Sequence, residues 1–105
     1  MATGRLGVAD LSATTLTTLY TAPTGKVGSL SINVCNRNSN SVTVRLALAA
    51  SGTPGAAEWL EYDVPIPANG VLERTGLVLD ASKRVVAYSS AANVSVVVWG
   101  YEENA

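Results

Sequence analysis

The chain contains no histidine, and that absence does the most to narrow its chemistry. Histidine is the commonest general base and the commonest metal ligand, so the usual Ser–His, Cys–His and His-ligated sites are excluded. A serine nucleophile would need another base. Ser82-Lys83 is the one adjacent pair of that kind, and it lies in an expected turn, an unsuitable geometry. The single cysteine, Cys35, excludes an internal disulfide. Charge is also scarce: 14% of the 105 residues are Asp, Glu, Lys or Arg, against about 25% in an ordinary soluble domain. The net charge is −1 and the seven basic residues are dispersed from Arg5 to Arg84, so no basic cluster could neutralise several phosphates. No nucleic-acid partner is expected. No apolar run approaches the ~20 residues of a membrane helix, and no membrane partner is expected either. Met1–Leu11 lacks a charged region followed by an apolar one, so the chain is expected to be made in the cytoplasm without a signal peptide.

What is present is hydrophobic, at 48% of residues with a mean hydropathy of +0.25, which excludes disorder and fits one domain spanning residues 1–105. Its pattern has period two. Val42, Val44, Leu46 and Leu48 alternate with Thr43, Arg45, Ala47 and Ala49. Leu30, Ile32 and Val34 alternate with Ser29, Ser31, Asn33 and Cys35. The polar knot between these runs, Asn36–Ser41, is expected to be the exposed loop of a hairpin, because Asn and Ser bond nearby backbone and Asn tolerates positive φ. Further strands are expected at Thr15–Thr21, Trp59–Pro65, Val71–Leu79, Arg84–Ser89 and Val94–Tyr101, with a weaker one at Leu6–Leu11. Breakers separate them at 23–25, 51–55, 67–70 and 90–93. About eight short strands at this spacing predict an all-β fold, an antiparallel β-sandwich of jelly-roll or immunoglobulin-like type. Gly55–Glu61 is the one helical candidate, of about one turn.

Other residues invite functional readings with blander alternatives. Glu61 and Asp63 are two apart and are expected to share a strand face with Glu58 nearby. Acid–base work or calcium binding is conceivable there, but no DxDxDG-type loop exists and solvated charges are the expected role. GRLG, TGKVG and NGVLERTG do not spell a phosphate loop. Asn93-Val94-Ser95 matches a glycosylation sequon, which carries little without a secretion signal. Cys35 has nothing nearby to activate it and reads as packing. No cofactor and no metal are expected. Trp59 and Tyr62 could serve as a sugar platform.

The last strand breaks the alternation. With Val94, Val96 and Val98 facing the core, Val97, Trp99 and Tyr101 face the opposite way and are apolar too. A strand apolar on both faces is either covered by a loop of its own chain or part of an intersubunit contact; Trp and Tyr are typical interface anchors, and the low charge content favours the contact. Val97, Trp99 and Tyr101 are therefore the expected contact patch, and other copies of the chain are the expected partners, a trimer being one arrangement. Residues 1–10 are expected to act as an N-terminal arm reaching a neighbour.

Two stretches, LYTAPTGKVGSLSINVCNRNSNSVTVRLALA and WLEYDVPIPANGVLERTGLVLDASKRVVAYSSAANVSVVVWGYE, resemble a family of small virion structural proteins of tailed bacteriophages. The resemblance covers most of the chain. It implies a β-sandwich on a virus particle, acting as a capsid decoration or cement protein bound to the major capsid protein. The alternative it implies is an accessory tail, baseplate or fibre part bound to a tail protein, with loops such as Asn36–Ser41 or Ser51–Ala57 touching a receptor. A carbohydrate-binding module is a further alternative. No catalytic residues come with the resemblance, and no enzymatic activity is expected.

Overall fold

A computed structural model describes residues 2–105 as eight antiparallel strands in two packed sheets, with no helix among the described residues. The strands are β1 (Thr3–Leu11), β2 (Thr17–Thr21), β3 (Lys26–Asn36), β4 (Val42–Ala49), β5 (Trp59–Ile66), β6 (Val71–Leu79), β7 (Arg84–Ser89) and β8 (Val94–Asn104). The first sheet runs β1-β8-β3-β6 and the second β2-β7-β4-β5. β1 pairs with β8, β2 with β7, β3 with β6 and β4 with β5. That is one long hairpin, its tip between β4 and β5, rolled up so that β3 also meets β8 and β4 meets β7. This strand order makes a jelly roll.

The alternation in the sequence is what fills the interior. Leu30, Ile32, Val34, Val94, Val96 and Val98 of the first sheet face Val42, Val44, Leu46, Val85 and Ala87 of the second, all buried. Removing this apolar surface from water, at about 25 cal/mol per Å2, is the main force holding the layers together. Gly100 is needed where β8 lies against β3. Its φ is +150°, and a Cβ there would sit 1.9 Å from the Ser29 carbonyl oxygen.

Three expectations are corrected. The stretch around Asn36–Ser41 is not a hairpin, because β3 and β4 lie in different sheets. The apolar rows of β3 and β4 are buried against each other across the core, whereas side-by-side pairing would need a second layer from elsewhere. In place of the helical turn, Gly55–Glu58 forms a turn and Trp59–Glu61 opens β5. One helical turn cannot sustain itself, and here Glu58 stabilises the turn by accepting hydrogen bonds from the Gly55 and Ala50 amides. The segment expected as an arm forms the edge strand β1, registered against β8 from Thr3↔Tyr101 to Leu11↔Val94, and Met1 lies outside the described residues. The apolar inward positions Leu6, Ala9 and Leu11 hold it there.

Candidate functional site

The outward side chains of the first sheet form four rows across the strands. Cross-strand register puts Thr3, Tyr101, Ser29 and Val78 in one row; Arg5, Trp99 and Ser31 in the next; Val8, Val97, Asn33 and Glu73 in a third; and Asp10, Ser95, Cys35 and Val71 in the last. A bulge in β1 between Arg5 and Gly7 keeps both Arg5 and Val8 on the outer side. The structure therefore brings Val97, Trp99 and Tyr101 together on one face, as the alternation in β8 implies. It also adds Val8 of β1 and Val71 and Val78 of β6, exposed at 54%, 61% and 63%.

Charge is confined to the rims of this face. The eight outward positions of the central strands β3 and β8, from Ser29 to Cys35 and from Ser95 to Tyr101, hold no Asp, Glu, Lys or Arg. Asp10 is paired with Arg37. Among the described residues Arg5 on β1 and Glu73 on β6 have no ion-pair partner, and they sit on opposite edges of the sheet. Cys35 is half-buried between Ser95 and Val71, as a packing residue would be.

The outer face of the second sheet is built differently. The Arg45 guanidinium lies between the rings of Tyr62 and Tyr88, 4.1 and 4.6 Å from their centroids, and donates to Asp63 from Nε at 2.6 Å and from Nη2 at 3.2 Å. The hydrogen bond from Arg45 holds the Asp63 carboxyl below the usual carboxylate range, and the same bond raises Arg45. Trp59 meets Tyr62 edge-on at 5.3 Å. Ala47 and Val86, cross-strand neighbours on this outer side, are 0% exposed. The loop between β4 and β5 reaches beside them; a Cβ on Gly52 would lie 3.8 Å from both Arg84 Nη1 and Thr18 Oγ1. The Arg84 Nε beneath has no hydrogen-bond partner, for which the structure offers no explanation.

The acidic residues do not converge. Glu61 pairs with Leu46, an inward position, and bridges to Arg74 of β6 at 3.1 Å, whereas Asp63 turns outward to Arg45. Glu61 and Asp63 thus lie on opposite faces, contrary to expectation. A bulge opposite Arg45 and a φ of +55° at Asp63 reverse the parity. Ser82-Lys83 sits in a turn, with Ser82 at φ +68° and Lys83 paired with Asp80. Among the described residues there is no metal-binding cluster of three His, Cys, Asp or Glu, and no pocket. No helix is long and apolar enough to cross a membrane.

The polar knot is exposed at Arg37 and Ser39–Ser41, as expected, but its first residue is an internal tie. Asn36 is fully buried, its Nδ2 donating to the carbonyls of Asn40, Ile66 and Pro67 and its Oδ1 accepting from Asn38 N and Nδ2. Asn38 Nδ2 in turn reaches the Ala92 carbonyl. One asparagine pair thereby joins three loops at one end of the sandwich. At the other end Tyr20 of β2 donates to Glu102 of β8 at 2.6 Å, bridging the sheets. Burial and that bond push the tyrosine pKa up, and the bond holds Glu102 below its ordinary range.

No family model matches the chain, and no curated protein or solved structure matches it either.

Proposed function

We propose that the chain is a non-enzymatic structural protein of a tailed-phage virion, a decoration or cement protein that binds and stabilises the assembled shell. The observation that carries the contact role is the charge-free centre of the first sheet's outer face, with Trp99 and Tyr101 standing on it. Depletion of charge and enrichment of Trp and Tyr mark the buried core of protein interfaces. The sequence resemblance supports the virion as the setting and the major capsid protein as the partner. A cement protein acts by mass action: it binds the assembled lattice and not free subunits, so its binding free energy opposes shell disassembly. The β1 edge, with backbone groups open on its outer side, offers β-augmentation to a neighbouring subunit.

The test is immunogold labelling of purified virions with an antibody to this chain. Gold over the heads is the expected result. Gold confined to tails would replace the reading with an accessory tail, baseplate or fibre role and a tail-protein partner. Absence of gold from intact and gently disrupted particles would overturn the virion role. The glycan-binding reading keeps one specific support, the exposed Tyr62 ring beside Trp59. Calorimetric titration with simple glycans tests it directly.

A further inference from the structure

We propose that the outer face of the first sheet binds a second copy of this chain, face to face, about a two-fold axis running along the strands. The inference rests on reading this face as a contact surface, not on any location in a particle.

Size comes first. Four strands spaced about 4.8 Å apart and overlapping along about nine residues at about 3.3 Å per residue give a face of about 570 Å2. Two copies stacked on it bury about 1,100 Å2, just above the roughly 1,000 Å2 that a specific interface requires. The contact is predicted to be real and weak.

Shape selects the symmetry. An axis along the strands, centred between β8 and β3, lays β8 of each copy over β3 of the other. Because these strands are in register, each row then meets the same row reversed. Tyr101 comes over the partner's Ser29, Trp99 over the partner's Ser31, and Val97 over the partner's Asn33. Large side chains fall on small ones in both directions, as interdigitating sheets about 10 Å apart require. The alternative in-plane axis, across the strands through the middle of the four rows, stacks β8 on β8, setting Trp99 on the partner's Val97 and leaving the smaller Ser31 and Asn33 of β3 facing each other.

Charge selects the same axis. Rotation about the strand direction carries β1 of one copy over β6 of the other. Arg5 on β1 and Glu73 on β6, unpaired edge charges of opposite sign, are thereby brought to the same rim twice per dimer, while the exposed Glu103 at the end of β8 falls over the partner's Val27. The other axis would lay each edge strand on its own copy, leaving Arg5 beside an Asp10 already held by Arg37 and Glu73 beside a second Glu73. The isologous contact is thus complementary in both size and sign.

The test is sedimentation equilibrium of the full-length chain from about 1 to 200 μM, where a minimal interface of this size is expected to associate. A monomer–dimer equilibrium is expected. Arg5→Glu and Glu73→Arg should each raise the dimer Kd about tenfold by setting like charges opposite one another, and the double reversal should return it to within about threefold of the original. Trp99→Ala should abolish dimerisation; Ser31→Glu, on a small half-buried position, supplies the same disruption if the tryptophan variant does not fold. Each variant's fold is verified by circular dichroism. A monomer throughout the range, a trimer, or a dimer unmoved by all four variants would overturn the proposal, as would a double reversal that fails to rescue. Dimers in solution combined with unlabelled virions would overturn the virion role and leave this inference standing; labelled virions with a monomeric chain would do the reverse.

Discussion

Val86 and Val97 occupy equivalent outward positions on β7 and β8, the strands that lie beside β2 and β1 in their sheets, and they have opposite surroundings. Val86 is completely shielded, flanked by Thr18 and Ala47 across the strands, with the β4–β5 loop reaching Arg84 and Thr18 beside it. Val97 is only half-buried, standing among Val8, Asn33 and Trp99 with Val8 itself 54% exposed beside it. The molecule thus closes one of its outer faces and leaves the other open. An apolar outward strand has two physical solutions, cover from within the chain or cover from outside it, and this fold uses one on each sheet.

The comparison breaks most readily at the two valines. Val86→Asp would bury an uncompensated charge and is expected to cost about 4 kcal/mol of unfolding free energy, measured by urea denaturation. Val97→Asp should cost less than about 1 kcal/mol while abolishing self-association. Equal losses would show that both faces are closed.

Tyr88→Ala sharpens the point on the roofed side. It removes one ring from the Arg45 stack, for an expected loss of about 1.5 kcal/mol by the same measurement. Trp99→Ala, on the open side, should cost monomer stability no more than about 1 kcal/mol, since Trp99 is half-buried by its strand neighbours and has only part of its packing to lose. A larger loss would assign Trp99 to the fold instead of the contact.

The smallest effect is that of acid. Asp63 on the roofed face, Glu58 in its covering loop and Glu102 between the sheets all have carboxyl pKa values lowered by hydrogen bonds, the first from Arg45, the second from the Gly55 and Ala50 amides, the third from Tyr20. A lowered folded-state pKa contributes stability that is present above the unfolded value, about 4, and is lost as pH falls through the folded one. Tm should therefore decline as pH drops below about 4, and Asp63→Asn should flatten part of that decline. Tyr20, raised, has the opposite sign: its contribution persists below pH of about 10 and is lost above it.

The strands themselves were legible because alternation is a local property. The inward valines of β8 and the outward Val97, Trp99 and Tyr101 follow from parity alone once one face is assigned to the core. The Asn36–Ser41 region shows where local reading ends. Two adjacent alternating runs look the same whether they pair in one sheet or face each other across two, and only the demand to bury both apolar rows separates the cases. Asn36 reads as a loop residue by type, yet it is buried because its amide satisfies carbonyls brought from 30 residues away. The opposite orientation of Glu61 and Asp63 was hidden for a similar reason: a bulge reverses parity without leaving a signature in the pattern.

The sequence by itself determined that the chain is all-β, that it has about eight strands in one domain, that histidine chemistry is excluded, and that β8 is apolar on both sides. These depend on composition and on period-two spacing, which each segment carries within itself. The tertiary structure alone decided the rolled strand order, the rows that join Val8, Val71 and Val78 to the β8 patch, the roof over Val86 and the opposite placement of Arg5 and Glu73. Those features depend on which strands become neighbours, and neighbours are chosen by the burial of the whole core.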